Sequence, residues 1–138
     1  MNYAQLIKDA LFEKGQIILP VEGNSMYPSL KANTRVTVRP SEKLTPGQCC
    51  VYLKNNILVI HRVLFSYRCW AYVAGDNNNM IEKIAAETII GIAEFNESLT
   101  IKVALTIINY LFLPLNKTVF FKFRLRAVHR IFRWKEIE

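Results

Sequence analysis

The sequence predicts a mainly β fold, compact and barrel-like, with a short N-terminal helix and a C-terminal helical appendage. Three observations predict it. Short runs rich in β-branched and aromatic residues recur between positions 17 and 95, separated by close turns. Apolar residues at helical spacing open the chain, and that spacing returns after Ser98. The 138 residues are 51% hydrophobic and 21% charged, enough for one buried core and too few for two ordinary domains.

The elements follow in order. Tyr3, Leu6, Ile7, Ala10 and Leu11 share one helical face, which predicts a helix over 2–13 closed by Gly15. A short apolar strand is expected over 16–21, then a loop over 22–30 punctuated by Gly23 and Pro28. Residues 34–39 alternate like a strand, and 40–47 form a turn region. Strands over 48–54 and 57–66 flank Asn55-Asn56, a pair suited to a tight hairpin because Asn tolerates positive φ. Further strands are expected over 68–74 and 88–95. Leu99 to Leu113 reads as a helix stopped by Pro114, and Phe120, Phe123, Ala127, Val128 and Ile131 share a further helical face. The expected division is a β domain over 1–97 and a basic helical appendage over 98–138.

Charge is unevenly placed. The chain carries 18 basic and 11 acidic residues, a net +7. Seven of the basic residues and only two of the acidic ones stand from Lys117 onward, so basicity belongs to the tail. Cys49, Cys50 and Cys69 show no paired metal or redox spacing and read as small packing residues of a reduced protein. No metal or cofactor is expected. Residues 1–14 contain four charged groups and no secretory apolar run. The apolar stretch 103–113 is shorter than the ~20 residues a membrane crossing needs. The expected location is cytoplasmic, with the tail able to lie peripherally on the inner face of an anionic membrane.

Chemistry concentrates at Gly23-Asn24-Ser25-Met26-Tyr27-Pro28. Gly before and Pro after a serine suggest a sharp bend that exposes the hydroxyl and frees backbone N–H groups for an oxyanion. His61, on the strand after the Asn-Asn turn, is a candidate base, since a neutral imidazole accepts protons near pH ~6.5. Asp76 follows the next strand, where it could either orient the imidazole or shape the Gly75–Asn77 turn. His129, among the basic residues of the tail, reads as a surface residue.

Residues 21–30, Val-Glu-Gly-Asn-Ser-Met-Tyr-Pro-Ser-Leu, resemble the nucleophile box of the signal peptidase I / LexA-like serine peptidases. Three more segments resemble that superfamily in the same order: residues 34–38 with Thr45-Pro-Gly-Gln48 and the strand after it, Ile60-His-Arg-Val63, and Ala74-Gly-Asp-Asn77. The likeness spans residues 17–95. It implies Ser25 as nucleophile, His61 as the base of a Ser-His type, and Asp76 as the third member of a triad, with Gly23, Asn24, Met26 and Pro28 shaping the nucleophile loop. Gln48 stands where the family often has Asp, and Gly23 where some relatives place a serine that assists the oxyanion hole. The chain resembles a compact member without the N-terminal membrane anchor. The implied activity is cleavage of a leader or signal-type segment from a precursor peptide bound in extended form. A LexA-like self-cleaving regulator and a non-catalytic peptide-binding relative stay open. A nucleic-acid-binding module using the tail would leave the ordered Ser, His and Asp segments without a role.

Overall fold

A computed structural model describes residues 3–78 and 80–112, together with 126, 127 and 130. The expected helical face around Phe120 and the expected surface position of His129 lie outside the described residues.

Helix α1, Tyr3–Lys14, buries Ile7 and Leu11, one turn apart, against the sheet. Gly15 then turns the chain at φ +70°, a conformation that ends helices and that glycine adopts without steric cost. Seven strands follow: β1 (Ile17–Pro20), β2 (Arg35–Arg39), β3 (Cys49–Lys54), β4 (Ile57–Tyr67), β5 (Trp70–Ala74), β6 (Glu82–Ala85) and β7 (Ile89–Glu94). They form one curled sheet in the order β1-β2-β7-β3-β4-β5-β6, with every pair antiparallel. The mainly β, half-barrel architecture is the one the sequence predicts.

Six of the seven strands fall where residue alternation puts them. The exception is β6, Glu-Lys-Ile-Ala, which four residues and two charges leave without a readable period. Asn55 and Asn56 both take positive φ, 50° and 63°, and make the two-residue hairpin turn. That turn sets the β3–β4 register from Lys54 opposite Ile57 to Cys50 opposite His61 and Cys49 opposite Arg62. Adjacent cysteines consequently enter different clusters, Cys49 with Val36 and Val51 and Cys50 with Val63 and Val73. Burial pushes the Cys50 thiol up to about 12 and raises Cys49 further, so both stay protonated and inert.

Helix α2, Leu99–Phe112, starts at Ser98, whose hydroxyl accepts the Ile101 N–H at 3.3 Å. Ile101 and Leu105 pack with Ile108, and Asn109 on the same side is fully buried. Leu99, Val103 and Ile107 remain exposed on the outer face. No described helix is long and apolar enough to cross a membrane.

Candidate active site

The nucleophile loop is anchored before it is exposed. Val21, Met26 and Leu30 sit in the core between α1 and the sheet. Val21 N–H donates to Thr34 O at 2.8 Å, and Asn33 N–H returns to Val21 O at 2.8 Å, closing the loop at its base. Tyr27 N–H donates to Asn24 O at 3.1 Å, a turn that lifts the half-buried Ser25 to its rim. The Tyr27–Pro28 peptide is cis. Gly23 adopts φ +72°, which L side chains disfavour. Among the described residues the Ser25 N–H makes no backbone hydrogen bond, so it is available to a developing oxyanion.

The Gly-Asp turn is tied to this loop from the other side. Asn77 N–H donates to Ser25 O at 2.8 Å, and Asn77 Nδ2 donates to Asn24 O at 3.1 Å. Gly75 extends β5 by one residue past the Arg62–Ala74 pair, so it lies across from His61. A methyl group placed on Gly75 would stand 2.6 Å from Ser25 O and 3.2 Å from His61 Nε2. The Ser25 backbone carbonyl and the His61 ring nitrogen therefore flank the same residue, one with no side chain.

His61 exposes 3% of its surface. Burial lowers its pKa below the ordinary 6.5, while the nearby Glu82 carboxylate pulls upward, with Lys54 lowering and Asp76 raising it less. The ring is thus neutral at physiological pH, the form a base requires. No hydrogen bond joins the Ser25 hydroxyl to the ring among the described residues; such contacts are often long before substrate closes the site. On the far side of the ring, Nδ1 lies 3.0 Å from the Tyr52 hydroxyl and 3.6 Å from Glu82 Oε1. Glu82 Oε2 accepts from Tyr52 at 3.4 Å and from Lys54 Nζ at 2.6 Å.

Asp76 is buried in an ion pair with Arg62. Both carboxylate oxygens face Arg62, with Oδ1 accepting from Nε at 2.9 Å and Oδ2 from Nη2 at 2.7 Å. Ser29 Oγ also donates to Oδ2, and Asn109 Nδ2 donates to Oδ1 at 2.9 Å. The guanidinium continues to Glu97, at 2.7 and 3.0 Å, and to Gly47 O at 3.0 Å. This charged cluster is buried and joins β4, the Gly-Asp turn, the nucleophile loop and α2. Asp76 lies in the turn two residues past the end of β5, and these hydrogen bonds run to the Arg62 side, while Gly75 stands across from His61. Gln48, the other departure, is structural, since its Oε1 accepts the Thr45 N–H at 2.9 Å within the turn.

The sequence analysis did not single out Tyr52, Lys54, Glu82, Arg62, Glu97 or Asn109. For Tyr52 a signal existed. Once Asn55-Asn56 is a two-residue turn, Cys50 faces His61 and Tyr52 is its diagonal neighbour on the same face. Glu82 lay in the strand without a period.

Ser25 is among the residues that line a groove of about 520 Å³. One wall is Leu19, Pro20 and Val21; the other is Ile57 to Ile60. Among the described residues both walls present unpaired backbone edges: β1 is the outer strand of the sheet, and β4 pairs with β5 only from Arg62 onward. An extended chain laid between them can hydrogen-bond on both sides.

A curled antiparallel sheet with a bent serine loop beside a strand-borne histidine fits the LexA and signal-peptidase-like class of serine peptidase folds. Within that class the chain belongs to the Peptidase S24-like family, whose model matches residues 2–94. Members are generally serine peptidases, some of them non-catalytic. A search of curated proteins returns no match.

Proposed function

We propose that the protein is a serine endopeptidase that removes a leader or signal-type segment from a precursor peptide. The observation that carries this reading is the approach of the Ser25 backbone and His61 Nε2 to Gly75, beside a groove that Ser25 helps to line. As the Ser25 hydroxyl attacks the scissile carbonyl, His61 Nε2 takes its proton, and the oxyanion is met by the Ser25 N–H. The imidazolium then protonates the leaving amine as the C–N bond breaks, leaving an ester on Ser25. Water attacks that ester, gives its proton to His61, and the serine is released. The family resemblance favours small residues just before the cut.

Incubated with a library of extended peptides and read by mass spectrometry, the protein is expected to produce discrete cuts, and Ser25→Ala and His61→Gln to abolish them. Undiminished cleavage by Ser25→Ala removes the serine from the mechanism. A chain that fragments itself, but no added peptide, favours the self-cleaving regulator instead.

The basic tail supplies the second part of the reading, peripheral attachment to an anionic membrane. Between Leu99 and Lys135 the sequence has eight basic residues and no acidic one, and α2 carries exposed Leu99, Val103 and Ile107. Attraction of Lys and Arg to anionic headgroups, worth about 1 kcal/mol each near the surface, supports binding that salt weakens. Sedimentation with phosphatidylserine vesicles is expected at low salt, to fall with salt, and to be lost on removing 117–138. Equal indifference to neutral and anionic vesicles overturns it.

A further inference from the structure

We propose that Tyr52, backed by Glu82, is the positioning residue for His61, holding the tautomer whose Nε2 faces Ser25 as a free base. The inference rests on the reading of Ser25 and His61 as nucleophile and base.

To accept a proton at Nε2, the ring must carry its hydrogen on Nδ1, and that hydrogen needs an acceptor because the ring is buried. The Tyr52 hydroxyl, 3.0 Å from Nδ1, can either accept from Nδ1–H or donate to a bare Nδ1. The second arrangement would put the proton on Nε2 and disarm the base. Glu82 decides between them. Its Oε2, 3.4 Å from the phenol, is an acceptor only, so the phenolic proton points to the carboxylate and a lone pair points to Nδ1. The phenol stays protonated, because burial and the adjacent carboxylate both raise its pKa.

Glu82 has a second part to play. Its other oxygen lies 3.6 Å from Nδ1, within ion-pair range of the imidazolium that forms when Ser25 loses its proton. Asp76 is bonded to Arg62, Ser29 and Asn109. Lys54 moderates the effect, since its ammonium is 2.6 Å from the same carboxylate and draws some of its field away from the ring. The groups facing His61 are thus Tyr52 and Lys54 from β3, Glu82 from β6 and, at longer range, Asp76 from the Gly-Asp turn. Of the uncharged neighbours, Cys50 lies directly opposite, protonated and inert.

The sign of each substitution follows. Glu82 raises the His61 pKa, so Glu82→Gln lowers it and moves the acid limb of the pH–rate profile to lower pH. Lys54 lowers it, so Lys54→Met moves the limb to higher pH. Tyr52→Phe keeps the ring that fills the core and removes only the acceptor for Nδ1–H.

The experiment uses the whole chain with His129→Gln, which leaves His61 as the one imidazole. Its ¹⁵N spectrum above pH 7.5 is expected to show a protonated Nδ1 and a bare Nε2. Tyr52→Phe is expected to shift the ring toward the Nε2–H form and to slow labelling of Ser25 by a fluorophosphonate, read by intact mass, of order 10²-fold. The two charge variants are expected to displace the acid limb of labelling in opposite directions. A bare Nδ1 in the parent protein overturns the proposal, as do an unmoved tautomer in Tyr52→Phe and an unmoved limb in Glu82→Gln. Loss of the peptidase reading is seen separately, as labelling that persists in Ser25→Ala, and it leaves the tautomer measurement standing.

Discussion

Replacing Gly75 by Ala is expected to slow acylation of Ser25 by about 10²-fold or more, at a cost to folding of about 1–3 kcal/mol. The new methyl would meet Ser25 O at 2.6 Å and Asn78 Cβ at 3.0 Å, with His61 Nε2 at 3.2 Å. The first of these contacts is closer than real Cβ atoms approach, and its partner is backbone, so something must move. Ser25 O is also the acceptor for Asn77 N–H, which ties the nucleophile loop to the Gly-Asp turn. Pushing that carbonyl away strains the tie and widens the gap between nucleophile and base together. A displacement of ~1 Å in a reacting group can cost ~10² in rate, which is why the chemical effect outweighs the stability effect. Gly23→Ala is the informative contrast. Nothing lies within 4 Å of a methyl there, but φ is +72°, so only backbone strain of about 1–2 kcal/mol is expected. Fluorophosphonate labelling and urea unfolding, measured on both variants, separate crowding from strain. Wild-type labelling in Gly75→Ala would mean that Ser25 and His61 do not react across this residue.

What could be read from sequence, and what could not, follows from how far each signal reaches. The Asn55-Asn56 turn carries its own geometry, so the hairpin around it was legible, and with it the strand that presents His61. The nucleophile loop was legible because Gly23, Ser25 and Pro28 stand together in the chain. The register of β4 and the end of β5 bring the Ser25 backbone and the His61 ring to either side of Gly75, a placement that no local pattern in the chain announces. For Asp76 the sequence left two roles open, orienting the imidazole or shaping its turn, because its hydrogen-bond partners Arg62, Ser29 and Asn109 are all distant in the chain. Glu82 was out of reach, since a four-residue strand at the sheet edge has no pattern to announce it. Asn109 was visible only as an interruption in an apolar helix; its partner is 33 residues away in sequence.

Replacing Asp76 by Ala is expected to destabilise the protein by about 3–5 kcal/mol, as removal of one partner from a buried ion pair does. Against typical total stabilities of ~5–15 kcal/mol, this approaches unfolding. Arg62 and Asp76 are both fully buried, so neither can turn to water when the other is lost. The guanidinium keeps Glu97 and Gly47 O but loses the two hydrogen bonds of its Asp76 edge. Asn109 suffers more. Its Oδ1 is already buried without a partner among the described residues, and Asp76 is the acceptor for its Nδ2, so that donor is left unsatisfied too. Asp76→Asn, which keeps the shape and discards the charge, is expected to fall in the same direction, and urea denaturation measures both. The chemical readout distinguishes this role from a triad role. If Asp76 oriented the imidazole, Asp76→Asn would alter the His61 tautomer in the folded fraction; a scaffold role leaves that tautomer unchanged while the midpoint of unfolding falls. The family match ends at residue 94, and Glu97 and Asn109 stand beyond it. The cluster therefore fastens α2 to the turn that carries Gly75, through the hydrogen bond from Asn109 to Asp76. Loss of Asp76 is accordingly expected to loosen α2 first, seen as faster amide exchange over residues 99–112 than over β3 and β4.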